Sequence, residues 1–307
     1  MRSLSKSFKL SQEVQTAIKK GSPIVALEST VITHGLPKSH NLALAREMER
    51  IVREEGAVPA TIAVLDGRIC VGLSDTELAS LAMKETHKLS SRDLAAAITA
   101  KISGGTTVAA TLRVAALAGI KVFATGGIGG VHRDSDWDIS ADLAELAVQK
   151  VLLVCAGAKA VLDLPATLEQ LETRGIPVVG YRTEEFPAFY SVESGLRANT
   201  KVDGARNAAA IAREHWELGG GGVLLAVPPP ENAAIPREHV EEWIKDALKS
   251  AKLKKVSGPA LSPFLLKRVS ELSEGKSLEA NLALLKNNAR VAAAVAKELP
   301  VAGTKAA

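Results

Sequence analysis

The chain has 307 residues, 47% of them hydrophobic, which is enough to bury one large core. Its 38 basic and 34 acidic side chains leave a net charge of +4, dispersed along the chain with no basic stripe, which argues against a nucleic-acid partner. The two cysteines, Cys70 and Cys155, sit in apolar runs and fit reduced, buried thiols better than a disulfide framework.

No apolar run is long enough to cross a bilayer, so no membrane partner is expected, and residues 1–10 lack the apolar stretch of a secretory signal. A cytoplasmic location is the expectation, with the basic Arg2, Lys6 and Lys9 leaving organellar targeting as a minor alternative. The Gly-rich stretch 219–222 and the prolines 228–230 are too short to be tethers, so residues 1–307 are expected to form a single domain. Aromatics are scarce at 3%, while Ala, Leu, Val and Gly abound, which suits helices packed closely on a buried sheet.

In chain order, strand-like apolar runs fall at 24–27, 61–65, 121–124, 150–155, 177–180 and 222–227, with Ala-rich segments of helical period between several of them. This alternation predicts a three-layer α/β/α fold on a mixed, mostly parallel central sheet. The segment 41–55 reads as an amphipathic helix, with Leu42, Ala45, Met48 and Val52 on one face and Arg46, Glu49, Arg50 and Arg53 on the other, ended by Gly56. Residues 106–118 are small and apolar nearly all round and predict a buried helix whose N-terminus can face a ligand. Two surface helices are expected around 236–250 and 262–272. A closing helix over 278–299 should carry an apolar stripe of Leu282, Leu285, Ala289 and Ala292.

The stretch from Ala124 to Arg133 follows an apolar strand and holds four glycines in five positions. Such a loop lets backbone N–H groups approach anionic oxygens, with Thr125 and His132 adding donors at the rim, although a glycine-rich turn without a ligand has the same composition. It echoes a dinucleotide fingerprint, but no long amphipathic helix begins directly after it and no ribose-binding acid follows. Asp138 and Asp142 stand four apart and would share a helix face, with Ser140 between them on another side. Two hard oxygen ligands beside an anion loop suit Mg²⁺ or Mn²⁺; equally, Asp138 reads as a helix cap and Asp142 as a solvated face residue.

Lys159 follows the apolar run ending Val154-Cys155-Ala156-Gly157-Ala158, with no other charge between Lys150 and Asp163. Partial desolvation there favours a free amine able to attack a carbonyl carbon, although most lysines are solvated surface groups. Glu28 directly follows the first apolar run, inside a hydroxyl-rich turn. At that place an α/β fold aims a carboxyl into its ligand crevice, as a general acid or as a buried hydrogen-bonding group. Lys88 and Arg92 are cations able to neutralise a phosphate, or plain surface charge. Ser-His-Asp order, His/Cys metal spacing and a Walker-type motif are all missing, which removes those classes.

The segments ALESTVITHGLP, the lysine of HKLSSRDL, GGTTVAAT, VFATGGIGGVHR, DISADL, CAGAK and LLKNNARVAA occur in that order, and with them the chain resembles the pseudouridine-5'-phosphate glycosidase family, also called the indigoidine synthase A family. The match runs from about Ser11 to Leu299. The resemblance implies reversible cleavage of pseudouridine 5'-phosphate to uracil and ribose 5-phosphate, with Mn²⁺ and a homotrimer. It implies Lys159 as covalent catalyst, Glu28 as proton donor and Asp138 as metal ligand. Lys88, His132, Ser140 and Asp142 would hold the ribose phosphate or metal-bound waters, with Thr125 at the rim of the glycine loop. Thr107, Val108 and an asparagine, Asn281 or one of the Asn287-Asn288 pair, would line the base pocket. Ser91 stands where the family more often carries a second arginine, and the segment after Tyr190 follows the pattern loosely. Competing readings are an ATP-dependent phosphotransferase and a sugar-phosphate sensor without catalysis; Lys159 and Glu28 together argue against the sensor.

Overall fold

The computed structural model describes residues 4–35, 37–133, 137–256 and 258–299. Its strands are β1 (Phe8–Leu10), β2 (Ile24–Leu27), β3 (Val58–Leu65), β4 (Arg68–Val71), β5 (His87–Leu89), β6 (Gly104–Thr106) and β7 (Val122–Ala124). They continue with β8 (Val131–His132), β9 (Leu152–Cys155), β10 (Leu162–Asp163), β11 (Val178–Tyr181), β12 (Thr200–Val202) and β13 (Val223–Ala226). The α-helices are α1 (Gln12–Lys20), α2 (Lys38–Glu54), α3 (Asp75–Met83), α4 (Leu94–Thr99), α5 (Val108–Leu117) and α6 (Ala141–Val148). After them come α7 (Leu164–Thr173), α8 (Ala205–Glu217), α9 (Arg237–Leu253), α10 (Leu261–Leu272) and α11 (Lys276–Glu298).

Eleven strands form one sheet with the path β1-β4-β3-β2-β7-β9-β13-β11-β12, and β5 and β6 branch from β3. Pairing is parallel from β3 through β12, while β3 meets β4 and β6 antiparallel, so the sheet is mixed and mostly parallel as expected. Helix α11 packs over β2, β7 and β9 with α2 and α8 beside it, and α5 packs on β2 and β3 next to α6. Every residue of β2, β7, β9 and β13 is buried, the signature of parallel strands covered by helices on both faces.

All six expected strands are present, with two instructive differences. Strand β3 starts at Val58, upstream of the expected Thr61, and carries Pro59. Over Val58–Thr61 it pairs only with β2, so a residue without an N–H is tolerated on the open side. In α2, Glu49 lies inward against the polar-face expectation: Thr61 Oγ1 donates to it at 2.6 Å and Arg53 at 3.3 Å, which satisfies a carboxyl that is 8% exposed.

A candidate active site at the carboxyl ends of three adjacent strands

Strands β2, β7 and β9 lie side by side, with Leu27 opposite Ala124 and Ala124 opposite Val154. Their loops therefore emerge together: Glu28 after β2, Thr125 and the glycines after β7, and Lys159 after β9. This is the edge at which parallel sheets bind ligands. The β5–β6 branch adds Lys88, in register with Gly105, where a side chain on Gly105 would press against Ser29 O at 3.0 Å. The resulting cleft is lined by Glu28, Lys88, Thr125, Lys159 and Asn281 among the residues expected from sequence.

Glu28 is buried at 8% exposure, and its two carboxyl oxygens accept from Thr30 Oγ1 and Thr125 Oγ1. Burial raises its proton affinity above the ordinary carboxylate range, opposed by the charge of Lys159 and then by the two hydroxyls. Lys159 is half-buried; its N–H donates to Ile128 O at 3.0 Å, and a bridge pairs Ile128 with Ala158, so its loop runs locked alongside the glycine loop. Burial lowers the proton affinity of Lys88, and the neighbouring Lys159 charge adds to this, while Asp142 and Glu28 oppose it. Arg92, by contrast, is exposed and pairs with Asp93.

The glycine loop owes its composition to packing. None of Gly126, Gly127, Gly129 and Gly130 has a positive φ. A Cβ on Gly127 would sit 2.7 Å from the Phe189 ring, and one on Gly129 would sit 2.6 Å from Ser140 Cβ. The loop N–H groups of Ile128, Gly129 and Val131 are committed internally, to Gly157 O, Asp142 Oδ2 and Thr167 Oγ1. Among the described residues, no partner accepts from Gly126 N or Gly127 N, which stand at the cleft wall.

Asp138 and Asp142 do not share a helix face. Ser140 accepts from Asp142 N at 3.2 Å and caps α6, so the helix begins at Ala141 and Asp138 lies in extended chain before it. There Asp138 O accepts from His132 N at 3.0 Å. Nor is Asp142 a solvated face residue. It is 6% exposed, and its carboxylate accepts from Ala109 N at 2.9 Å and Gly129 N at 2.8 Å, stapling the glycine loop to the start of α5.

His132 is half-buried on β8, with Nε2 3.2 Å from Ser262 Oγ on α10 and Nδ1 buried without a partner among the described residues. Burial lowers its proton affinity; nearby Asp138 opposes this, while Lys159 and Lys88 reinforce it. Thr107 caps α5 by accepting from Ala110 N at 3.3 Å, and Val108 is buried in the first turn; neither borders the cleft. The expected helix start at Thr106 is displaced because Thr106 belongs to β6. Asn281 borders the cleft, whereas Asn288 is fully buried beneath it and donates to Thr125 O at 2.8 Å.

Several cleft residues carried no sequence assignment. Thr30 and His34 stood inside the ALESTVITH segment, whose density of hydroxyls was the available signal. Phe189, Ser262, Pro263 and Leu266 reach the cleft from distant segments with nothing local to mark them. Phe189 holds φ 64, rare for a bulky side chain, with its N–H donating to Ala156 O at 3.1 Å.

Fold and cleft together define an α/β protein that gathers a buried carboxyl, two lysines and a glycine loop in one cleft at the ligand-binding edge of a mostly parallel sheet. The model of the family described as indigoidine synthase A like protein matches residues 13–298, and the chain belongs to that family. A pseudouridine-5'-phosphate glycosidase of Caldanaerobacter subterraneus subsp. tengcongensis is 52% identical over 300 residues, covering 96% of this chain and 98% of that protein. One from Chloroflexus aurantiacus is 54% identical over 304 residues, covering 96% and 100%. The solved structure of the prealnumycin C-glycosynthase AlnA in complex with ribulose 5-phosphate matches with a TM-score of 0.89 at 40% identity, covering 96% of this chain and 98% of that one.

Proposed function

We propose that this chain is a pseudouridine-5'-phosphate glycosidase, a lyase that reversibly splits pseudouridine 5'-phosphate and water into uracil and ribose 5-phosphate. The observation that carries the reading is that Lys159 and the buried Glu28 line one cleft in a chain whose relatives bear that name over nearly their whole length.

A C–C glycosidic bond has no heteroatom leaving group to protonate, so a pair of carboxylates of the usual glycosidase kind would not suffice. Glu28 gives its proton to the ribose ring oxygen as the C1'–O4' bond breaks and the Lys159 amine bonds to C1'. The nitrogen sheds a proton, and C5 of uracil gains one. The C1'–C5 electron pair then returns to the base ring while the nitrogen lone pair forms an iminium with C1'. Water hydrolyses the iminium, releasing ribose 5-phosphate, freeing the amine and restoring the proton on Glu28. Lys88, His132, Ser140 and Asp142 hold the ribose phosphate or its metal-bound waters, with Thr125 beside Glu28, and Asn281, which borders the cleft, is the asparagine assigned to the base. Thr107, Val108 and Asn288 support the pocket from behind.

Mn²⁺, or Mg²⁺ in its place, is part of the reading. No cluster of three His, Cys, Asp or Glu side chains encloses an ion among the described residues. A hard ion that keeps most of its waters needs one carboxylate, for which Asp138 is the candidate, near His132, whose Nδ1 has no partner among the described residues. Bound there, the ion would supply positive charge to the substrate phosphate. A single catalytic domain, a homotrimer and a cytoplasmic location complete the proposal; no helix among the described residues is long and apolar enough to cross a membrane.

Protein mixed with Mn²⁺, uracil and ribose 5-phosphate should yield a C-nucleotide by mass spectrometry. Borohydride added with ribose 5-phosphate should trap a sugar adduct on Lys159, and Lys159→Ala should lose both trapping and turnover. Full turnover in that variant would remove the scheme.

A further inference from the structure

Glu28 is the one carboxyl bordering the cleft among the described residues, and its two oxygens meet two different hydroxyls. Thr125 arrives from the neighbouring strand β7, and its backbone is itself tied down: Asn288 Nδ2 of α11 donates to Thr125 O at 2.8 Å and approaches Gly126 O at 3.4 Å. Thr30 arrives from the same turn as Glu28. That turn is braced by Ser29, whose hydroxyl donates to Ile62 O at 2.6 Å and whose carbonyl accepts from Ile32 N and Thr33 N at 3.0 Å. Both hydroxyls are thus delivered by anchored backbone, and Thr30 is itself buried at 7% exposure.

We propose that Thr30 is a positioning residue for Glu28: its hydroxyl fixes the carboxyl plane from the side opposite Thr125 and sets the pH above which the acid no longer has a proton to give. This rests on the proton-donor role given to Glu28 above. A carboxylate holding two hydroxyl hydrogen bonds has two of its lone pairs occupied, which pins its rotation and aims the remaining ones into the cleft. The charged groups facing Glu28 are Lys159 on the loop after β9, Lys88 on β5 and Asp142 on α6, and His34 borders the same cleft. Two cations and one anion stay in place when Thr30 is altered, so the change isolates the hydroxyl. Burial is the main cause of the proton retention of Glu28, and the Thr30 hydroxyl works against it.

The test is the pH profile of kcat with saturating pseudouridine 5'-phosphate in Thr30→Val, Thr30→Ser and Glu28→Gln. In Thr30→Val the limb at which activity falls with rising pH should move upward by ~1 pH unit, because a hydrogen bond to the ionised form is lost. In the same variant kcat should drop ~10-fold with KM little changed, since the residue acts through the acid. Thr30→Ser restores the hydroxyl and should restore the limb. An unmoved limb in Thr30→Val, or a limb displaced equally in Thr30→Ser, overturns the inference, as does an effect confined to KM. Turnover by Glu28→Gln would instead remove the proton-donor role, and this inference with it. An inactive Glu28→Gln beside an unshifted Thr30→Val would overturn the inference alone. Thr30→Ala, which removes the hydroxyl without adding bulk, should show the same upward limb and keeps the test decisive if the valine variant folds poorly; an unmoved limb in it overturns the inference.

Discussion

Replacing Asp142 by alanine separates a structural staple from a substrate contact. The carboxylate is 6% exposed and accepts from Ala109 N at 2.9 Å and from Gly129 N at 2.8 Å. Hydrogen bonds to a charged group contribute about 1.5–3 kcal/mol each, and alanine leaves both N–H groups without that acceptor, so the loss should be about 3–6 kcal/mol. With an unfolding entropy of about 2.1 cal/mol/K per residue, a chain of this length should lose about 5–9 °C in Tm. Calorimetry measures it, with turnover and the KM for ribose 5-phosphate taken well below the transition. A variant melting within about 1 °C of the parent would refute the reasoning. A fall in Tm with an unchanged ribose 5-phosphate KM would confine Asp142 to the staple and remove it from the substrate side.

Glu28→Gln should melt higher than the parent at pH 8, because burial raises the proton affinity of Glu28 and the folded state disfavours its ionised form. Below the ordinary value of 4.5 the carboxyl is protonated whether folded or unfolded, so the advantage should vanish there and grow as pH rises through the higher folded value. An equal Tm for the two proteins at pH 8 would contradict burial as the dominant influence on this carboxyl. Gly127→Ala sets a methyl 2.7 Å from the buried Phe189 ring and should cost about 1–3 kcal/mol with a disproportionate loss of turnover, measured by paired melting and kinetics. Asn288→Ala removes the donor to Thr125 O and should lower kcat with little change in KM; a rise in KM alone would move Asn288 to the base pocket.

Much of the fold could be read from local pattern. Four parallel strands buried on both faces are continuous apolar runs, and runs of that kind mark themselves whatever their neighbours. Glu28 and Lys159 stood out for a related reason: each is a charge directly after such a run, where desolvation is costly without a purpose. Short segments needing a partner were harder. Strand β3 crosses Pro59 because a neighbour is missing on one side, and β5 and β6, three residues each, exist through their pairing.

From the residues alone came the α/β layering, six of the strands and five of the helices, the candidate acid and amine, and a glycine loop read as an anion cradle, which packing in fact explains. Tertiary structure alone decided which groups meet. It placed Thr30 and Thr125 on the two oxygens of Glu28, turned Asp142 from a proposed solvated or metal-facing acid into a staple between loop and helix, and brought Ser262 to His132 across 130 positions of chain. The physical reason is that periodicity and charge placement are properties of a segment. The partner that satisfies a buried polar atom is chosen by the register of adjacent strands and the packing of helices far away in sequence, which no local pattern encodes.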